Sequence, residues 1–179
     1  MRDTKTEVLA FWFEEIAPAQ WFQKNDSFDQ EIKERFFVTY EMAAEGLCRE
    51  WEKEPDGALA LCLVLDQFPR HMFRHDSRSY ETDDMALLIA KEAIHKGFDQ
   101  VLSTRKRRFL YLPFHHSEDA KAQERSVSLY KSMKDDDPLS YDHARRNLDI
   151  IQKFGRFPKR NAVLGRESTP EEAEFLQTS

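Results

Sequence analysis

The sequence predicts an all-α fold of about eight helices, joined as antiparallel helical hairpins that pack in series. Apolar residues recur at helical spacing along most of the 179 residues. Only five glycines interrupt them, and the connectors between periodic segments are short and carry helix-capping residues. The length suits one helical domain over residues 1–179. No 34-residue period is visible, so the sequence itself does not indicate tandem repeats.

The first two helices are predicted at 6–16 and within 21–47. Residues 6–16 place Val8, Phe11 and Trp12 on one broad apolar face. Residues 21–47 contain a capping-box pattern from Ser27 to Gln30, which we expect to begin the second helix.

Residues 58–68 (ALALCLVLDQF) are apolar nearly all round, which is typical of a central, fully buried helix. A buried strand is the alternative for so short a run. We favour the helix, because Ala and Leu dominate over β-branched residues. Since Pro69 lacks an amide donor and disfavours helix at the residue before it, we expect the helix to end at Phe68.

The second half of the chain alternates helical periodicity with caps and stops. Further helices are predicted at 83–97, 103–114, 118–134, 141–154 and 171–177. Their expected ends and caps are Pro113, Ser117, Ser140, Gly155 and a capping box from Thr169 to Glu172.

Composition limits the function. The net charge of −6 argues against nucleic-acid binding, and no apolar run approaches membrane-spanning length. The start of the sequence has no secretory core, and Cys48 and Cys62 lack metal or redox spacing, so we expect a cytoplasmic protein. The acid excess lies in residues 1–56, which hold seven Lys/Arg and fourteen Asp/Glu. Local basic stretches elsewhere therefore favour a confined anion site.

The first candidate stretch is DQFPRHMFR, residues 66–74. Asp66, Gln67, Arg70 and Arg74 gather at one helix end. Two guanidinium groups converging on a phosphate or carboxylate, oriented by Asp66, are one interpretation. An Asp–Arg pair that only holds the loop is the other.

The second candidate stretch is LPFHHSED, where His116, Ser117 and Glu118 lie at a predicted helix start. Histidine and glutamate are the usual acid–base groups, and free amides there favour an anion. Alternatively, Ser117 is only an N-cap and Glu118 only complements the helix dipole. Neither a metal nor a cofactor is predicted, because no ligand spacing supports one.

The third candidate stretch covers residues 143–166. His143 shares a helix face with Asn147 and either lines a cleft or is a half-buried structural histidine. The loop after Gly155 is either a phosphate clamp or a solvated basic loop. Its candidate ligand-binding residues are Arg156, Arg160, Asn161 and Arg166.

Two short stretches combine Phe-Pro with a nearby arginine: Phe68-Pro69-Arg70 and Phe157-Pro158-Lys159-Arg160. Their surroundings do not align, so we interpret them as a shared helix-stop device and not as a duplication. The abundant aromatic residues are predicted to be packing residues and not base-stacking platforms. These are Trp12, Trp21, Phe22, Phe36, Phe109, Tyr111 and Phe114.

In FWF, LDQFPRHMFR, RRFLYLPFHHSED and IIQKFGRFPKRN the chain resembles the bacterial family known as domain of unknown function 924. The resemblance covers about residues 7–176. It implies an all-α fold of the TPR-like type and no established activity. His71, His115 and Lys159 depart from the family's pattern, which makes His116 and His143 the better histidine candidates.

Three hypotheses follow. In the first, the arginines bind an anionic small molecule, either by itself or as the substrate of an enzyme with His116, Glu118 and His143 as acid–base groups and Asp66 as orienter. In the second, TPR-like stacked helices bind a protein or acidic peptide without catalysis. In the third, the arginines form a buried ion-pair network that holds helix ends together. The oligomeric state is not predicted.

Overall fold

The chain is helical nearly throughout, and a computed structural model describes residues 4–178. The helices are α1 Thr4–Ala10, α2 Asp26–Ala44, α3 Pro55–Cys62, α4 Phe68–Met72, α5 Asp83–His95, α6 Phe98–Val101, α7 Thr104–His116, α8 Ala120–Lys131, α9 Pro138–Phe154 and α10 Pro170–Thr178. No strand occurs in the described residues. The predicted all-α class is confirmed, and each of the eight predicted helices corresponds to helical structure.

Short helical turns connect or extend these helices. Two are π-helical, Phe11–Glu15 and Leu63–Gln67, and four are 3₁₀, Pro18–Gln20, Arg49–Lys53, Ser77–Tyr80 and Pro158–Arg160. The polar stretch 75–82 contains one of these 3₁₀ turns. This turn lies next to the candidate site described below.

A central helix runs through the middle of the fold. It consists of α3, the π turn Leu63–Gln67 and α4, and residues 57–69 are all buried. It packs against α1, α2, α5 and α7, which explains why its sequence is apolar on every side. The helix interpretation of residues 58–68 is confirmed and the strand alternative is wrong.

Pro69 does not end the central helix as predicted, because α4 continues to Met72. A proline leaves the carbonyl four residues earlier without its amide partner, which is Leu65 O here. The buried Thr82 hydroxyl donates to Leu65 O at 2.6 Å. The Arg70 side chain donates to the next carbonyl, Asp66 O. Side-chain donors thus satisfy the Leu65 and Asp66 carbonyls at the π turn of the helix.

Pro113 likewise fails to stop its helix, since α7 extends to His116. Ser117 is therefore not the N-cap of α8. That role belongs to Asp119, whose carboxylate accepts from Ala122 N at 2.8 Å. The buried Gln123 amide donates to the carbonyls of Phe114, His115 and Ser117, which satisfies the end of α7. His116 thus lies at a helix C-terminus and not at an N-terminus.

Other caps differ from the prediction by a few residues. Asn25 caps α2 in place of Ser27, and Asp137 caps α9 in place of Ser140. Gly155 ends α9 in the left-handed conformation, with a φ of 70°, as expected. The predicted capping box is confirmed: Thr169 N donates to Glu172 and Glu172 N donates to the Thr169 hydroxyl.

The hydrophobic core contains the aromatic residues that were predicted to pack there, with one exception. Trp12, Phe36, Phe109 and Tyr111 are fully buried. Phe22 is 59% exposed, so its assignment to the core is wrong. In the second half of the chain, α7 packs against α8 and α8 against α9, in chain order. The TPR-like array implied by the resemblance stays a prediction.

No helix in residues 4–178 is long and apolar enough to cross a bilayer.

Candidate functional site

A cleft of about 670 Å³ lies where three segments meet. The segments are residues 77–84, the end of α7 with residues 117–118, and the loop around Arg160. Arg160 of the second Phe-Pro stretch lines the cleft, and Arg70 of the first contacts Asp83 and Tyr80 in its wall. The geometry of the cleft depends on a buried carboxylate, Asp66, at the π turn of the central helix.

Asp66 holds the imidazole of His116. Both carboxylate oxygens lie close to His116 Nδ1, at 2.7 and 2.9 Å. Asp66 is completely buried, and Gln67 Nε2 donates to it from the same helix. Arg70 Nη1 lies 3.3 Å from its Oδ1. His116 lines the cleft and Asp66 does not. Asp66 therefore orients a cleft residue from behind the cleft wall.

The charges of this pair follow from its surroundings. Burial would raise the pKa of Asp66, but Arg70 and His116 outweigh it and hold that pKa well below its usual range. Burial, followed by Arg70, lowers the pKa of His116, although Asp66 opposes the shift. At neutral pH we therefore expect an ionised Asp66 and a neutral His116. An ionised carboxylate only accepts, so the His116 proton lies on Nδ1 and Nε2 keeps a lone pair.

Arg70 and Arg160, one from each Phe-Pro stretch, meet at Asp83. Arg70 donates to both Asp83 oxygens at 2.8 Å, whereas Arg160 Nη1 lies 3.5 Å from Oδ2. Both guanidinium groups also contact the ring of Tyr80, at 5.5 and 4.6 Å from its centroid. Burial and then the neighbouring Asp66 raise the pKa of Asp83, against the effect of Arg70.

Arg160 is the arginine of this group whose charge is least neutralised. Its Nη2 donates to the backbone carbonyl of His116 at 2.7 Å, and its side chain is only 13% exposed. Within the described residues its nearest carboxylate is Asp83, which Arg70 already holds on both oxygens. Burial and the neighbouring Arg70 lower the pKa of Arg160, yet an arginine stays charged at neutral pH.

Glu118 lines the cleft as part of a second ion pair. Arg166 donates to its two oxygens at 2.7 and 3.0 Å, and Phe157 N donates to it at 2.7 Å. Burial would raise the pKa of Glu118, but these hydrogen bonds lower it. A carboxylate held ionised in this way is a poor proton donor. Its contacts tie the loop after α9 to the end of α7.

Of the five predicted anion-binding arginines only Arg160 lines the cleft; Arg70 and Arg166 bind carboxylates of its wall, and the other two pair with carboxylates elsewhere. Arg74 donates to both oxygens of Asp29, at 2.6 and 2.7 Å, next to His71. Arg156 donates to both oxygens of Glu172, at 2.7 and 2.8 Å. Asn161 is buried and donates to the same Glu172 at 3.1 Å. These contacts agree with the third hypothesis for Arg74 and Arg156.

His143 belongs to a different cavity. It lies on α9 with Ser140, beside His115 and His116 of α7, in a space of about 310 Å³. His116 is shared between this smaller cavity and the cleft. Of the four predicted catalytic residues, Asp66 and His116 are in contact, Glu118 lines the same cleft, and His143 is separate from it.

A model of the family described as "Bacterial protein of unknown function (DUF924)" matches residues 8–179. The chain belongs to this family. The predicted resemblance is thereby confirmed over nearly the whole sequence.

The fold of this DUF924 protein has been seen before. It is similar to the solved structure of ATU0120, a protein of unknown function from Agrobacterium tumefaciens, with 40% sequence identity and a TM-score of 0.94. The likeness covers 98% of each chain. No curated protein matches the sequence. The comparisons thus establish family and fold, and leave the activity to be inferred from the site.

Sequence reasoning missed three residues of the DUF924 cleft. Asp83, Arg78 and Tyr80 were not among the predicted site residues. Arg78 lines the cleft and its guanidinium lies 3.9 Å from the centroid of the Phe73 ring. Nothing local in 75–84 points to a site, because these residues gain their role by packing against Arg70 and Arg160. Among the residues that the structure describes, no cluster of three or more His, Cys, Asp or Glu could hold a metal ion.

Proposed function

We propose that this DUF924 protein binds a small-molecule anion in the cleft and exchanges a proton with it through His116. The observation that carries the proposal is the buried Asp66 carboxylate on His116 Nδ1, which leaves Nε2 as the basic atom of a cleft residue. Arg160, bonded to the carbonyl of that same His116, supplies a fixed positive charge beside it. A positioned base next to a cation suits proton transfer involving an anionic substrate.

Asp66 acts here as a positioning residue. Its carboxylate selects the Nδ1–H tautomer and would stabilise the imidazolium once Nε2 has taken a proton. Gln67 and Arg70 hold the carboxylate in turn. This chain of contacts supports general acid–base chemistry by His116.

The charges of the cleft favour one compact anionic group over an acidic peptide. Four carboxylates line it, and Asp83 and Glu118 are each held on both oxygens by an arginine. Glu81 and Asp84 are exposed. A peptide with several acidic residues would be repelled by these exposed carboxylates, whereas a single phosphate or carboxylate is small enough to contact Arg160 and Arg78 without meeting them. The non-catalytic TPR-like peptide module is therefore the weaker candidate.

The remaining predicted site residues receive different roles in this proposal. Arg160 and the exposed Arg78 would bind the anion, and Ser117 would contribute a hydroxyl from the cleft wall. Arg70 and Arg166 act through their carboxylate partners and keep the walls in position. Arg74, Arg156 and Asn161 stabilise the fold away from the ligand.

Thermal unfolding with phosphorylated and carboxylated small molecules tests the proposal. Wild type is compared with Arg160→Gln and with Arg145→Gln, which removes an exposed arginine of α9 outside the cleft. We expect at least one anion to raise the Tm of wild type and Arg145→Gln by about 3 °C at tenfold excess over its Kd. The gain should vanish in Arg160→Gln. The proposal fails if no anion stabilises wild type, or if Arg160→Gln responds equally.

A further inference from the structure

The smaller cavity shares His116 with the cleft as a lining residue. Its volume is about 310 Å³, and its walls include Phe22, Leu112 and Tyr130. An apolar space of about 150 Å³ is enough for a benzene ring, so this cavity has room for one aromatic ring with substituents.

Three of the polar residues in its walls, Tyr130, Arg108 and Ser140, are already hydrogen-bonded. The Tyr130 hydroxyl donates to Arg108 O at 2.9 Å, and Arg108 Nε donates to the Ser140 hydroxyl at 2.9 Å. The Arg108 charge is balanced by Asp137, 3.1 Å away. With these groups engaged, the apolar contacts open to a ligand come from the Phe22 and Tyr130 rings and the Leu112 side chain.

His115 does not add charge to the cavity at neutral pH. Burial, followed by His116 and His143, lowers the pKa of His115 to about 3. Asn147 Nδ2 lies 3.0 Å from His115 Nε2 and fixes the ring. A neutral, fixed imidazole is one more flat surface for a ring to pack on.

Phe22 is the exposed wall of this cavity. Its ring lies parallel to that of Phe109, with centroids 6.0 Å apart and an interplanar angle of 11°. Yet 59% of the residue is exposed. A large aromatic side chain held against the core but open to a cavity offers a stacking surface that a ligand ring would bury.

We infer that the smaller cavity binds the aromatic or hydrocarbon part of the ligand whose anionic group occupies the cleft. The ligand would thus be an anion joined to an apolar ring, with the junction beside His116. The placement of the ligand's anionic group rests on the proposed function. The placement of its apolar ring rests on the Phe22, Leu112 and Tyr130 side chains of the smaller cavity.

Three probes separate the two halves: inorganic phosphate, phenyl phosphate and phenol. NMR titrations at neutral pH follow the imidazole signals of His116 and His143, so that they report where each probe binds. Phe22→Ala removes the exposed wall, and Leu88→Ala is the matched control because Leu88 is 66% exposed on α5 and outside both cavities.

We expect phenyl phosphate to bind wild type and Leu88→Ala about tenfold more tightly than phosphate does. In Phe22→Ala this ratio should fall toward one. Equal affinities for phosphate and phenyl phosphate in wild type would overturn the inference and leave the anion site standing. Binding of phenol that moves the His143 signal and is lost in Phe22→Ala, without binding of either phosphate, would overturn the proposed function and support the ring site. Failure of both aromatic probes would overturn the ring site.

Discussion

Asp66 shows how one residue serves both stability and the site. Its carboxylate is buried among His116, Gln67 and Arg70, so its charge is not solvated by water. A buried charge is tolerated only when partners replace its hydration. Burial and Arg70 in turn keep His116 neutral, and Asp66 orients its ring.

Asp66→Asn should therefore weaken the fold and change the titration of His116. An amide still accepts from Nδ1–H but leaves the buried Arg70 with one carboxylate fewer, at a cost of about 3 kcal/mol in the free energy of unfolding. Because Asp66 opposes the lowering of the His116 pKa, that pKa should fall further. Urea unfolding and NMR titration measure the two effects.

Asp84→Asn is the matched control, since Asp84 lies in the cleft but is exposed. We expect a change within about 0.5 kcal/mol. If Asp66→Asn were as mild as this control, or if it raised the His116 pKa, the assignment of Asp66 as an ionised partner would be wrong.

At the scale of elements, the helices were predictable from periodicity and composition, and their ends were less so. Gly155 and the Thr169–Glu172 capping box follow local rules that the sequence displays. Pro69 and Pro113 break those rules, because partners distant in sequence decide the outcome. The carbonyl that Pro69 leaves free, Leu65 O, accepts from Thr82, seventeen residues later in the chain, and no local pattern reveals that contact.

Thr82→Val tests this explanation of the central helix. The substitution keeps the shape of the side chain and removes the hydroxyl that donates to Leu65 O. A buried carbonyl without a partner should reduce the free energy of unfolding by roughly 1–3 kcal/mol. Denaturant unfolding measures it, with hydrogen exchange of residues 66–72 as a local readout.

Thr39→Val is the comparison, because Thr39 is also buried but lies on α2, away from the π turn. It should change stability by less than about 0.5 kcal/mol. Equal effects of the two substitutions would show that the Thr82 hydroxyl has no special part in carrying the helix past Pro69.

For the whole molecule, ion pairs join segments far apart in sequence and also set the response to pH. Lowered pKa values of Asp29, Asp66 and Glu118 contribute stability that is present above about pH 4 and lost as pH falls further. The lowered pKa values of His71, His115 and His116 act in the same direction from about pH 6.5 downward, because the unfolded chain binds these protons first. The raised pKa of Asp83 partly opposes the loss.

We expect the free energy of unfolding to fall by about 2 kcal/mol between pH 7 and pH 5, where the histidines dominate. His115→Gln should make this dependence shallower, and His95→Gln, at an exposed position on α5, should keep it. Urea titrations at both pH values measure the free energy of unfolding of wild type and of the two variants. A flat profile in wild type would contradict the neutral state of the buried histidines.

The site was predictable in part. The three motif stretches supplied His116, Glu118, Asp66, Arg70 and Arg160, because unusual clusters of charge and histidine stand out in an apolar background. Which arginines share a space is a property of packing. Arg70 and Arg160 meet at Asp83, whereas Arg74 and Arg156 find Asp29 and Glu172 instead.

The most direct test of the central claim is the ¹⁵N imidazole spectrum of His116 as a function of pH. The account predicts a proton on Nδ1, an unprotonated Nε2 at pH 7 and a titration midpoint below 6.5. A proton on Nε2 at pH 7, or a midpoint at or above 6.5, would contradict it.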